Sequence, residues 1–123
     1  MSLILASTSP RRRELLALLD IPFDVKSPSF EERLVADRSA IQQTTSFALA
    51  KAQSVARHEP EAFVLGSDTL IELDHVVLGK PADLKEAGAM LRRLAARDHY
   101  VHTAVALVCP SRKVEAIALS TAV

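Results

Sequence analysis

The densest group of chemically capable side chains lies in Leu3-Ile4-Leu5-Ala6-Ser7-Thr8-Ser9-Pro10-Arg11-Arg12-Arg13-Glu14-Leu15-Leu16. The stretch reads as a buried strand, a turn of small residues, and a helix opening on Ser9-Pro10. Arginines in the first turns of a helix oppose its macrodipole, which favours negative charge there. A bound anion removes the conflict, because backbone N–H groups, serine hydroxyls and guanidinium forks then converge on it. Phosphate is the anion that Ser7, Ser9, Arg11 and Arg12 fit. An isolated arginine run is otherwise a solvated basic turn; the strand–turn–helix setting tips the reading towards phosphate.

Three further groups carry possible chemistry. Gly66-Ser67-Asp68-Thr69 is expected at the end of an apolar strand, where a carboxylate can hold a metal or activate water. A single aspartate in a turn more often serves capping or turn formation. Gly79-Lys80-Pro81 fixes a lysine between glycine and proline, at a defined backbone position that suits a point charge aimed at phosphate. Taken alone it is an exposed turn. Glu31-Glu32 can supply a further metal ligand, although adjacent acids in a loop are usually just solvated. Lys51, between Ala50 and Ala52, fits a stem lying along apolar surface with its charge in water.

The elements that position these groups alternate between strand and helix. A strand over residues 2–6 leads into a helix capped by Ser9, with Pro10 where a missing N–H costs nothing. That helix is expected to reach Leu19, with Leu15, Leu16, Leu18 and Leu19 as a broad apolar face. Phe23 and Val25 mark a short second strand, and Ser27 to Asp37 a loop. Ser39 and Gln42 form a capping box for a long helix ending near His58. Ile41, Thr45, Ala48, Ala52 and Val55 trace its inward face. Ala62–Gly66 is a compact strand. Leu70–Leu73 and Val76–Leu78 flank an Asp74-His75 hairpin turn that lacks the preferred glycine. Asp83 or a neighbour starts another helix, with Ala87, Met90, Leu91 and Leu94 inward. Strands over 99–108 and 114–123, joined by Pro110-Ser111-Arg112, close the chain. This order predicts an α/β fold, a mixed twisted sheet flanked by helices, as one domain over residues 1–123.

Composition limits the function classes. About half of the 123 residues are apolar (49%), enough to bury one core. Lysine plus arginine equals aspartate plus glutamate, at 15 each, so the formal net charge is zero. That argues against a general binder of nucleic acid or of membrane surfaces. The absence of tryptophan and the single tyrosine also argue against nucleic-acid recognition by stacking. The lone Cys109 cannot form an internal disulfide and fits a reducing cytoplasm. It ends an apolar run before Pro110 and reads as a buried structural thiol. No apolar run approaches the ~20 residues that cross a bilayer, and no signal peptide is apparent.

LASTSPRRRELL, the acidic pair after the second strand, LAKAQSVA, GSDT and LGKP stand in the order and spacing of the Maf proteins. The chain resembles that family over essentially its whole length. The family comprises nucleoside triphosphate pyrophosphatases related in fold to the inosine triphosphatase group. The resemblance implies cleavage between the α and β phosphates, with release of monophosphate and pyrophosphate. It also implies a divalent metal, magnesium or manganese, and a role in clearing non-standard nucleotides. Matched residue by residue, Ser7 and Arg12 resemble the phosphate-binding serine and arginine. Glu32 resembles the metal-associated glutamate and Lys51 the active-site helix lysine. Asp68 resembles the aspartate that activates water beside the metal, and Lys80 the lysine that steadies the phosphates.

Family branches differ near these motifs. A branch acting on dTTP, UTP and modified pyrimidine nucleotides typically has SPRR and GADT, and a 7-methyl-GTP branch has STSPWRR and GSDQ. Here the STSP string and Ser67 lean to the second branch. Arg11, Thr69 and Thr103-Ala104-Val105-Ala106 lean to the first, and dTTP/UTP is the expected substrate class. Family members normally continue past Thr121-Ala122-Val123 into a KAGAY-type and a QG-type motif that border the substrate. The fold is therefore expected to be C-terminally truncated, with turnover weakened and an exposed strand edge inviting self-association into a homodimer. A catalytically impaired nucleotide-binding or regulatory fragment is the alternative to an enzyme.

Overall fold

In the computed structural model, residues 2–123 are described except Ala36, Lys80, Pro81 and Ala96. The chain alternates β1 (Leu3–Ala6), α1 (Pro10–Ala17), β2 (Asp24–Lys26), α2 (Ala40–Ala56), β3 (Phe63–Leu73) and β4 (Val76–Leu78). α3 (Leu84–Leu94), β5 (Tyr100–Cys109), a 3-10 turn (Pro110–Arg112) and β6 (Val114–Ala122) follow. The strands form one mixed sheet in the order β2-β1-β3-β5-β6, with β4 also paired to β3. β1 runs parallel to β2 and β3; the β3–β4, β3–β5 and β5–β6 pairs are antiparallel. The expected α/β class and mixed sheet are therefore present.

The core forms where α2 lies on β3 and β5. Ala48, Ala52 and Ala56 of the helix meet Val64, Ala104, Ala106 and Val108 of the strands. Small side chains on both surfaces let helix and sheet approach closely, and Gly66 marks the tightest point. A Cβ built there would lie 2.5 Å from the Ala48 carbonyl oxygen and 2.7 Å from the Ala52 nitrogen. At the far end of the sheet, buried His102 joins three strands through its ring nitrogens. Nδ1 is 2.9 Å from Thr121 Oγ1 and Nε2 is 2.8 Å from Glu72 Oε1.

Several sequence expectations change on folding. Residues 62–66 and 70–73 are not separate strands: β3 runs unbroken from Phe63 to Leu73. Gly66-Ser67-Asp68-Thr69 therefore lies inside a strand, because β5 pairs with it continuously, Asp68 opposite Ala104 and Thr69 opposite Thr103. The apolar face foreseen on α1 is mostly uncovered. Leu16 is buried, while Leu15, Leu18 and Leu19 are exposed, and the helix stops at Ala17. On α2, Ala48, Ala52 and Val55 are buried as expected, but Ile41 is exposed and Thr45 half-buried; the buried residues also include Gln43, Phe47, Lys51 and Ser54. Leu91 of α3 is exposed, with Ala87, Met90 and Leu94 only half-buried. The remaining element boundaries differ by a residue or two, where helix and strand ends fray.

Local signals hold well elsewhere. Ser39 and Gln42 cap α2 reciprocally, with Gln42 N–H donating to Ser39 Oγ at 3.1 Å. Asp74 and His75 turn the hairpin without glycine, both at positive φ, 50° and 65°, the backbone that a tight two-residue hairpin requires. Asp83 caps α3 by accepting from Glu86 N–H at 2.8 Å. Cys109 is buried, as expected. Among the described residues, no helix is long and apolar enough to cross a membrane.

Candidate active site

The site is assembled along one edge of β3. β5 occupies one edge of this strand, so β1 and β4 must share the other. β1 pairs with residues 63–65 and β4 with residues 71–73. Among the described residues no strand pairs with 66–70 on that edge, and a cleft of about 810 Å³ opens there. Its polar lining includes Ser7, Ser9, Arg12, Glu32, Lys51 and Thr69, and its apolar wall includes Phe30, Leu34, Leu70, Ile71 and Met90.

The first polar group comes from the β1–α1 turn. Ser7 Oγ accepts from Ser9 N–H at 2.9 Å, and Ser9 Oγ caps α1 by accepting from Arg12 N–H at 3.3 Å. This winds the turn so that both serines and Arg12 face one space. Arg12 is half-buried along the cleft, whereas Arg11 and Arg13 are exposed and do not line it. Lys80 lies outside the described residues; its neighbour Gly79 lines the cleft.

The second group is a buried charge cluster. Lys51 Nζ lies 2.9 Å from Asp68 Oδ1 and 2.5 Å from Glu32 Oε1. Lys51 thus does not send its charge into water: it bridges two carboxylates. Asp68 is only 2% exposed, and its Oδ2 has no hydrogen-bond donor. Burial pushes the Asp68 carboxyl up from 3.8 to about 6; hydrogen bonding with Glu32 adds to the rise, and Lys51 opposes it. A carboxyl that titrates near neutrality beside a cleft is suited to accept a proton. Glu31, by contrast, is exposed and pairs with Arg33 at 3.5 Å.

The loop that carries Glu32 is held against one side of α2. Val35 N–H donates to Gln43 Oε1 at 2.7 Å, and Ser29 N–H to Ser54 Oγ at 3.1 Å. Phe30 packs on Phe47 with ring centroids 5.7 Å apart, and Glu32 meets Lys51. Gln43, Phe47, Lys51 and Ser54 recur at near-helical spacing, so one stripe receives the loop. Sequence reading overlooked this stripe, because its polar members do not register as a buried face. The signal was nevertheless present: two polar residues and a lysine spaced like core positions. Across the ladder, the Thr69 and Thr103 hydroxyls lie 3.2 Å apart.

The carboxylate oxygens fit a hard divalent cation. Magnesium commonly takes one or two carboxylates plus phosphate oxygens and water. The Glu32 carboxylate, which lines the cleft and meets Asp68 and Lys51, is the appropriate protein donor.

The whole chain from residue 2 to residue 123 matches a family model described as Maf-like protein. The chain belongs to the Maf family. A dTTP/UTP pyrophosphatase of Symbiobacterium thermophilum is 51% identical over 106 residues, covering 86% of this chain and 55% of that protein. A dTTP/UTP pyrophosphatase of Bacillus velezensis is 46% identical, covering 90% of this chain and 59% of the relative. This Maf chain thus spans somewhat more than half the length of the curated relatives it matches. Among solved structures, a nucleoside-triphosphatase / dITP/XTP pyrophosphatase from Mycobacterium abscessus superposes with a TM-score of 0.65 at 19% identity. The match covers 98% of this chain and 72% of that one. A HAM1 protein from Coxiella burnetii has the same TM-score at 18% identity, with 98% and 70% coverage. At those identities the likeness establishes a shared fold.

Proposed function

We propose that the cleft hydrolyses nucleoside triphosphates between the α and β phosphates, releasing nucleoside monophosphate and pyrophosphate. The observation that carries this reading is that Glu32 and Lys51, with buried Asp68 bonded to Lys51, line the same cleft as Ser7, Ser9 and Arg12. The Maf relatives' names support it. In this mechanism the serine–arginine turn binds phosphate oxygens through charge-assisted hydrogen bonds. Asp68 Oδ2 takes a proton from water as the water oxygen bonds to phosphorus. The bridging P–O bond breaks, and its electron pair leaves with pyrophosphate. Lys51 holds Asp68 by its other oxygen, Oδ1, which fixes the orientation of the carboxylate. Lys80 steadies the phosphates. Glu32, beside Asp68, would hold magnesium or manganese, and the cation would neutralise charge developing on the phosphates.

The substrate class follows the pyrimidine branch. Arg11 and Thr69 match it, and the Maf relatives described above are named dTTP/UTP pyrophosphatases. The matching role is removal of modified or surplus nucleotides in the cytoplasm, a compartment in keeping with the lone buried Cys109. Self-association is supported by β6, an end strand of the sheet on which Ile117 and Leu119 are exposed on one face.

Incubation with nucleotide and magnesium or manganese is expected to yield monophosphate plus pyrophosphate, read by chromatography. Diphosphate plus orthophosphate would refute the cleavage position. In a side-by-side panel, dTTP and UTP are expected to have higher kcat/KM than 7-methyl-GTP. The reverse order would mean that Ser67 and the STSP string mark the operative branch.

A further inference from the structure

A triphosphate neutralised at the serine–arginine end leaves its nucleoside in need of a different surface. The rest of the cleft supplies an apolar wall, and Phe30 is the aromatic ring among the described residues lining it. Its placement is tightly constrained. Phe47 of α2 packs against it with planes 51° apart. One residue earlier, Ser29 N–H is bonded to Ser54; two residues later, Glu32 is paired with Lys51. The ring is thus held before any ligand arrives, and pre-organisation of this kind lowers the ordering cost of binding. It also stands beside the groups assigned to phosphate and metal, close enough in sequence to move with them.

We propose that Phe30 is the platform on which the nucleobase stacks. The inference rests on the nucleotide reading above and adds the residue that receives the base. Every base has a π face, so this contact grips the nucleoside without choosing between pyrimidine branches. Discrimination falls to polar groups of the same cleft, such as Thr69.

Because the chain contains no tryptophan, Phe30→Trp places a single indole on the cleft wall. A dTTP analogue with nitrogen bridging the α and β phosphates is expected to quench its fluorescence. Inorganic triphosphate at saturation is expected to leave the emission unchanged. In calorimetry of the unmodified chain, the analogue is expected to bind more tightly than inorganic triphosphate. Phe30→Leu should cut affinity for the analogue about tenfold and spare inorganic triphosphate, while Phe30→Tyr should restore the loss. An analogue that binds without quenching, with full affinity in Phe30→Leu, would place the base elsewhere and overturn the proposal. Equal binding of analogue and inorganic triphosphate by the unmodified chain would do the same while leaving the phosphate site standing. A chain that binds neither would overturn the nucleotide reading, and this inference with it.

Discussion

Asp68→Asn should abolish most turnover, preserve nucleotide binding and make the folded chain more stable at neutral pH. The loss follows from removing the proton acceptor, an effect of about a hundredfold or more. Binding persists because Ser7, Ser9 and Arg12 remain. The stability gain follows from the carboxyl's raised pKa, from 3.8 to about 6. A folded state that holds a proton more tightly than the unfolded chain is penalised when that proton is lost. The penalty is absent below about 3.8, grows as pH rises, and is complete above about 6. At about 1.4 kcal/mol per pKa unit, the ionised carboxylate costs up to about 3 kcal/mol. Asparagine carries no such penalty and still offers Lys51 an oxygen. Thermal melts should therefore show a Tm gain for the variant at pH 8 that shrinks by pH 5. In the unmodified protein, kcat/KM should climb with pH through about 6 and then level off. Unchanged turnover in Asp68→Asn, measured by pyrophosphate release, would remove Asp68 from the role of base.

Gly66→Ala should destabilise the chain despite adding only a methyl group. Alanine has no conformational difficulty here, since no glycine of the described residues adopts positive φ. Glycine in a strand interior is itself weakly unfavourable, so a backbone argument alone predicts a gain. The obstacle is contact: the new Cβ would meet the Ala48 carbonyl oxygen at 2.5 Å and the Ala52 nitrogen at 2.7 Å. Both are backbone atoms and cannot rotate away, so α2 has to lift from β3. Overpacking of this kind costs about 1–3 kcal/mol. Lys51 rides on the same helix, so its bond to Asp68 lengthens as well. A lowered midpoint in urea, together with weakened activity, is the expected result. A midpoint equal to that of the unmodified chain would show that helix and strand separate at no cost.

The parts legible in the sequence were those governed by local chemistry. Ser9-Pro10 specified a helix start, because the hydroxyl satisfies an orphan N–H and proline lacks one. Ser39 with Gln42 specified another by reciprocal capping. Motif order carried the family assignment, and alternation of strand and helix carried the α/β class. Local signals failed where burial depended on a partner. Leucines at helical spacing in α1 predicted a covered face, yet Leu15, Leu18 and Leu19 remain exposed because packing requires an opposing surface. The break inferred within β3 came from small polar residues that resemble a turn; pairing with β5 overrides that resemblance.

By itself the sequence determined which side chains could do chemistry: a serine–arginine turn for phosphate, carboxylates for metal or water, and lysines for charge. Those assignments follow from functional groups and short-range backbone preferences, both carried by neighbouring residues. Only the tertiary structure decided their relations. It set Arg12 along the cleft and Arg11 outside it, and it separated Glu32 from Glu31. It turned Lys51 from a residue spaced like a solvated helix lysine into the bridge between Glu32 and Asp68. Those outcomes depend on α2 lying across β3 at Gly66 and on a loop folded back along the helix. The contacts join residues far apart in the chain, and the burial they produce is what raises the Asp68 carboxyl from 3.8 to about 6.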